Sequence, residues 1–172
     1  MIEVKVQSLG IDQASKTPVV ILQELDGDRM LPIWIGPGEA SAIAMELAGM
    51  KFPRPLTHDL AASFIRGMGG ALSRVLITRV QENTYYAEMV IQRGNEVFSV
   101  DARPSDSIAI ALRLQARLFT SDDLLSSTAI QVDSGAALGE ATPSVPTETL
   151  DAEQLQEYLR KLNPEDLGRF NP

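Results

Sequence analysis

The sequence predicts an α+β fold: a mostly antiparallel twisted sheet packed with three main helices. Three observations carry that prediction. Alternating or continuous apolar runs of strand length fill most of residues 2–35 and 72–101. Asp26-Gly27-Asp28 and Gly94-Asn95 supply turn residues between neighbouring alternating runs. Three stretches of helical period interrupt the strands, each after a rigid or polar start.

In chain order, residues 2–9 alternate and read as a first strand, and Thr17–Leu22 and Met30–Ile35 read as a second and a third. Gly36-Pro37-Gly38-Glu39 opens a helix, because proline suits the first turn and Glu39 lies near the positive end of the dipole. Ala40, Ile43, Ala44 and Leu47 share one face, and Gly49 is its stop. Phe52-Pro53-Arg54-Pro55 is a constrained connection that no helix tolerates. Thr57 is the expected N-cap of a second helix, with Leu60, Phe64 and Met68 on its buried face and Gly67, Gly69 and Gly70 at its end. Runs at about 72–81, 84–92 and 96–101, parted by Glu82-Asn83 and Gly94-Asn95, read as an antiparallel meander. The helix at about 104–114 is apolar nearly all round and is expected between other layers. Leu118-Phe119 suits a short strand, and Ser121-Asp122-Asp123 caps a final turn.

Beyond residue 128 the composition shifts. Residues 1–128 form the expected folded domain, residues 129–148 a flexible linker rich in small residues and proline, and residues 149–172 an acidic helical tail. In that tail Asp151 and Gln154 make a capping box, Leu150 and Leu155 occupy staple positions, and Leu155, Tyr158, Leu159 and Leu162 form an apolar stripe. So short a helix is marginal alone, so it is expected to dock on its own body or on a partner.

The chain of 172 residues is long enough for one domain with a core. No apolar run reaches membrane-spanning length, and the start of the chain lacks a secretory pattern, so a cytoplasmic location and no membrane partner are expected. The absence of cysteine excludes disulfides, thiolate zinc sites and cysteine nucleophiles. With His58 the single histidine, any metal site must be mostly oxygen-ligated, which suits Mg2+ or Mn2+ better than zinc. The net charge of −8 divides unevenly: 12 Lys/Arg against 15 Asp/Glu in residues 1–128 leaves −3, and 3 against 8 in residues 129–172 leaves −5. That acidity lacks the footprint of a general nucleic-acid binder, while the nearly balanced body leaves room for a local basic groove.

Candidate chemistry gathers at three helix starts. Asp101-Ala102-Arg103-Pro104-Ser105-Asp106 sits where a strand becomes a helix. Asp101 and Asp106 suit a magnesium or manganese site, and Arg103 suits phosphate. The same residues also suit a plain helix start, with Asp106 on the N-terminal amides and Arg103 on a neighbouring carboxylate. His58, in Arg54-Pro55-Leu56-Thr57-His58-Asp59, has the right pKa class for a general acid or base, or is an ordinary first-turn residue. Glu39 is a third carboxylate of the same kind, a metal ligand or a dipole partner. Trp34 offers a stacking surface for a base, though its apolar run favours a core or interface place. If the three N-termini converge, they build one anion-attracting pocket. No P-loop, dinucleotide glycine turn, HExxH or nucleophile elbow is present.

Leu31–Ala40, Arg54–Leu60 and Asp101–Ala109 closely resemble the bifunctional nuclease family, and the resemblance spans roughly residues 2–128. It implies an α+β domain, a homo-oligomer and activity on DNA and RNA. Polarity and position within those motifs, rather than any established family site, make His58, Asp59, Asp101, Arg103 and Asp106 the expected catalytic group. Arg54, Arg103 and Ser105 are expected to hold phosphate, and Asp101, Asp106 and Glu39 to hold Mg2+ or Mn2+. The expected function is a metal-assisted phosphodiesterase with nucleic acid as its partner. The competing expectation is a non-catalytic oligomeric binding or regulatory protein with an anion pocket.

Overall fold

In a computed structural model, which describes residues 1–12, 14–82 and 84–128, seven strands form one sheet: β1 (Ile2–Ile11), β2 (Pro18–Glu24), β3 (Met30–Trp34), β4 (Ala71–Gln81), β5 (Thr84–Arg93), β6 (Glu96–Ala102) and β7 (Arg117–Thr120). Their order is β3-β2-β1-β7-β4-β5-β6. All neighbours are antiparallel except β7, which inserts parallel to β4 and joins the N-terminal strands to the meander. The four helices are α1 (Pro37–Leu47), α2 (Thr57–Gly67), α3 (Pro104–Leu114) and α4 (Asp122–Thr128). The expected linker and tail, residues 129–172, lie outside the described residues.

The sheet is strongly coiled. The Tyr85 hydroxyl of β5 donates to the Pro32 carbonyl of β3 at 3.3 Å. Those strands are five positions apart, about 24 Å on a flat sheet, so twist must bring the two ends towards each other. Inside the coil, Val4, Leu22, Leu31, Ile33, Val75, Ile77 and Leu118 pack with Ile43 of α1 and Ile108 of α3. α3 is buried along Ser107–Ala111, as its all-round apolar pattern requires.

Three expectations about packing change. Leu60, Phe64 and Met68 of α2 face outward, and Ala62 is the buried residue of that helix. The smaller Ala61, Ala62 and Ile65 side allows a close approach to the body, which leaves the bulkier stripe uncovered. On α1, Leu47 is exposed while Ala40 and Ile43 are buried, since the last turn runs past the edge of the core. Trp34, the last residue of β3, is exposed and donates its indole N–H to Asp12 at 3.2 Å. The expected cap also shifts by one residue: Leu56 is the extended N-cap, and its N–H is taken by Asp59 Oδ2 from within the helix at 2.8 Å.

Candidate active site

The N-termini of α1, α2 and α3 meet. An open cleft of about 360 Å3 is lined from α1 by Gly38, Glu39 and Met45, and from the start of α2 by Thr57 and His58. Arg103 and Asp106 line it from the start of α3. Each start is set locally. Pro37 and Pro104 fix the first helical φ of α1 and α3. The turn at residues 52–56 delivers the chain to α2 in extended geometry. At Gly36 an added Cβ would stand 2.3 Å from Glu39 Oε2, so the missing side chain is what lets the carboxylate fold back over the start of α1.

Four side chains form one chain of contacts at the cleft. His58 Nε2 lies 3.0 Å from Asp106 Oδ1. Arg103 donates Nε to Asp106 Oδ2 at 2.7 Å and its terminal nitrogen reaches Glu39 Oε1 at 2.8 Å. His58 is largely enclosed, with 15% of its side chain exposed, whereas the Arg103 side chain is 58% exposed. Burial opposes ionisation of Asp106, but the hydrogen bonds from Arg103 and His58 outweigh it and hold its carboxyl below the usual aspartate range. The same contact with Asp106 raises the pKa of Arg103. An ionised Asp106 is acceptor-only, so Nε2 of His58 carries a hydrogen, and in the neutral imidazole Nδ1 keeps the lone pair. The arrangement can therefore fix an imidazole tautomer and offer a base beside a cation.

Asp59 belongs to a second network. Arg113 of α3 donates Nε to Asp59 Oδ1 and NH1 to the carbonyls of Ala42 and Ala109 at 3.2 and 2.9 Å. One guanidinium, 6% exposed, thus ties α1, α2 and α3 together behind the cleft. Its hydrogen bond is the main reason the Asp59 carboxyl titrates below its ordinary value, against an opposing burial effect. Arg113 is not among the residues that motif or position singles out in the sequence. The available signal is a single arginine near the end of a helix otherwise apolar on every side.

The remaining candidates stand apart. Asp101 is exposed on β6 opposite Glu88 and does not line the cleft. Arg54 is exposed in the proline turn and Ser105 is buried in the first turn of α3, and neither lines it either. Among the described residues no group of three or more His, Asp or Glu side chains is placed to hold a metal ion. Glu39 and Asp106 are joined through Arg103, which fills the space between them. As arranged, this donor set does not fit a divalent ion. Among the described residues no helix is long and apolar enough to cross a membrane.

Comparison with known proteins finds a family and several relatives. The profile of the bifunctional nuclease domain matches residues 20–133. An uncharacterised protein of Mycobacterium tuberculosis is 40% identical over 164 residues, covering 95% of this chain and 96% of the relative. Bifunctional nuclease 1 of Oryza sativa subsp. japonica is 27% identical over 162 residues, 92% of this chain and 46% of the rice protein. Bifunctional nuclease 1 of Arabidopsis thaliana is 24% identical over 131 residues, 74% of this chain and 40% of that protein. With more than half of its length matched by the domain profile, this chain belongs to the bifunctional nuclease domain family.

Proposed function

We propose that the chain is a nuclease that hydrolyses phosphodiester bonds of single-stranded DNA and RNA at the cleft between the three helix starts. The observation that carries this reading is the His58–Asp106–Arg103 contact chain, with its largely enclosed imidazole and exposed guanidinium. Family membership supplies the reaction class. Arg103 binds the phosphate and offsets the charge that develops on it. His58 Nδ1 takes the proton of the attacking water, and Asp106 holds the ring and stabilises the imidazolium. A P–O bond forms to that water, the bridging P–O bond breaks, and the departing oxygen takes its proton from solvent.

No step runs through a metal ion, because Arg103 occupies the place between Glu39 and Asp106. Cleavage of labelled DNA and RNA oligonucleotides by the full chain, in Mg2+, in Mn2+ and in chelator, tests both parts. Cutting in all three conditions supports the reading as written. Cutting that chelator abolishes and metal restores would keep the nuclease and overturn the metal-free mechanism.

The convergence of three helix N-termini favours a second reading, a non-catalytic pocket for a small anion. An anion that copurifies, raises the melting temperature when added back and leaves oligonucleotides uncut would replace the nuclease reading with this one.

A further inference from the structure

The cleft has two chemically different ends. Gly38, Ala42 and Met45 line it from one face of α1, spaced four and three residues apart. From Gly38 to Met45 that face runs about 10 Å, at about 1.5 Å per residue. At the Gly38 end stand Arg103 and its carboxylate partners Glu39 and Asp106. Further along, the α1 lining turns to Ala42 and Met45, and Leu56 joins it from the residue before α2. Leu56 is 38% exposed and Met45 is half-buried, so both keep apolar surface open to the cleft.

Small-ligand sites are mostly apolar, carry a few polar groups that fix orientation, and enclose about 300–1,000 Å3. The cleft, at about 360 Å3, fits that description. A phosphate alone would use Arg103 and leave Ala42, Met45 and Leu56 without a partner. The group that follows phosphate and sugar in a nucleotide is a flat base with apolar faces, which suits this wall. The thioether of Met45 is polarisable and makes favourable contacts with aromatic rings. At the Arg103 end, an added Cβ on Gly38 would meet nothing within 4 Å. Packing therefore does not require glycine there, and its bare backbone leaves room for the close approach of a ligand.

We propose that Ala42, Met45 and Leu56 form a nucleobase subsite that holds the unpaired base of the nucleotide whose phosphate meets Arg103, resting on the nuclease reading for where that phosphate sits. The subsite selects single strands. In a duplex each base is stacked and paired, so its face reaches the wall only after it is pulled out of the stack. In a single strand the face is available, and contact with it tolerates any sequence because every base has one. Among the described residues no Phe, Tyr or Trp lines the cleft. The base should therefore add affinity towards the lower end of what stacking gives, about 10-fold.

Titration calorimetry on the full chain, with deoxyadenosine 3′- and 5′-monophosphates against 2-deoxyribose 5-phosphate, isolates the base. At least one nucleotide should bind about 10-fold more tightly than the sugar phosphate. Met45→Ser and Leu56→Ser should each erase most of that advantage while changing sugar-phosphate binding little. Serine is a better N-cap than leucine, so Leu56→Ser should melt no lower than the wild type, and its lost affinity is then not a lost fold. Equal binding of nucleotide and sugar phosphate, no measurable binding of either, or a base advantage undiminished in either folded variant would overturn the proposal. Oligonucleotide cleavage, measured separately, keeps the subsite and the nuclease apart. A chain that binds the base through Met45 and Leu56 and cuts nothing would keep the subsite and lose the nuclease. A chain that cuts but gains nothing from the base would do the reverse.

Discussion

His58 and Asp106 are 48 residues apart in the chain and 3.0 Å apart in space, joined Nε2 to Oδ1 across the starts of α2 and α3. The contact makes one group of a residue that begins one helix and a residue in the first turn of another. The Asp106 carboxylate contacts Arg103 and His58 at once.

Asp106→Asn tests that double service. An amide oxygen can still accept one hydrogen bond, but it cannot stabilise an imidazolium or hold Arg103 by charge. Cleavage should fall by about 10²- to 10⁴-fold, as for loss of an acid–base partner. Circular dichroism and the melting temperature show whether the fold survives, and a rate that is unchanged in a folded variant would remove Asp106 from the mechanism.

Arg113→Met should destabilise the domain by about 2 to 4 kcal/mol, because it leaves Asp59 and two carbonyls without their donor. Arg113→Lys should recover only part of this, since an ammonium cannot reproduce a planar fork. Urea unfolding measures both. Losses under 0.5 kcal/mol in each would show that the three helices are held by packing alone.

Ser107 is fully buried on α3, and its hydroxyl has no hydrogen-bond partner among the described residues. An unsatisfied buried hydroxyl is costly, so Ser107→Ala should leave stability unchanged or raise it by about 1 kcal/mol. A clear loss on urea unfolding would mean that this hydroxyl is satisfied in solution.

The acidic limb of stability follows from Asp59 and Asp106. Arg113 lowers the carboxyl pKa of Asp59. For Asp106, burial works the other way and is outweighed by Arg103 and His58. A folded-state pKa below the unfolded value of about 3.9 means the native state binds fewer protons in that range. The stabilisation is therefore present above that value and is lost as pH falls through the folded pKa values. Thermal melts should show the melting temperature falling on acidification below about pH 4, with a shallower fall in Asp59→Asn. An equal fall in that variant would move the effect to other carboxylates.

Much of this was legible in the sequence, for local reasons. The helix over 104–114 matches because proline at its first position and an apolar run leave little choice. The convergence of Gly36–Glu39, Thr57–Asp59 and Arg103–Asp106 could be posed as a question but not answered, since it depends on β7 inserting between β1 and β4. Asp101 illustrates a different limit. It lies two residues before Arg103, yet strand alternation turns it to the opposite face from Val100 and Ala102, while Arg103 has already left the strand. The α2 stripe of Leu60, Phe64 and Met68 has the period of a buried face and is exposed in the single chain. Periodicity reports that a surface wants covering and is silent on what covers it.

The central claim, that His58 is the base of a nuclease, is tested most directly by chemical rescue. His58→Ala should cut single-stranded oligonucleotides at least about 100-fold more slowly than the wild type, with its fold retained, and added imidazole should restore part of the rate. Wild-type cleavage that persists undiminished in His58→Ala, or a loss that imidazole leaves untouched in a folded variant, would contradict it.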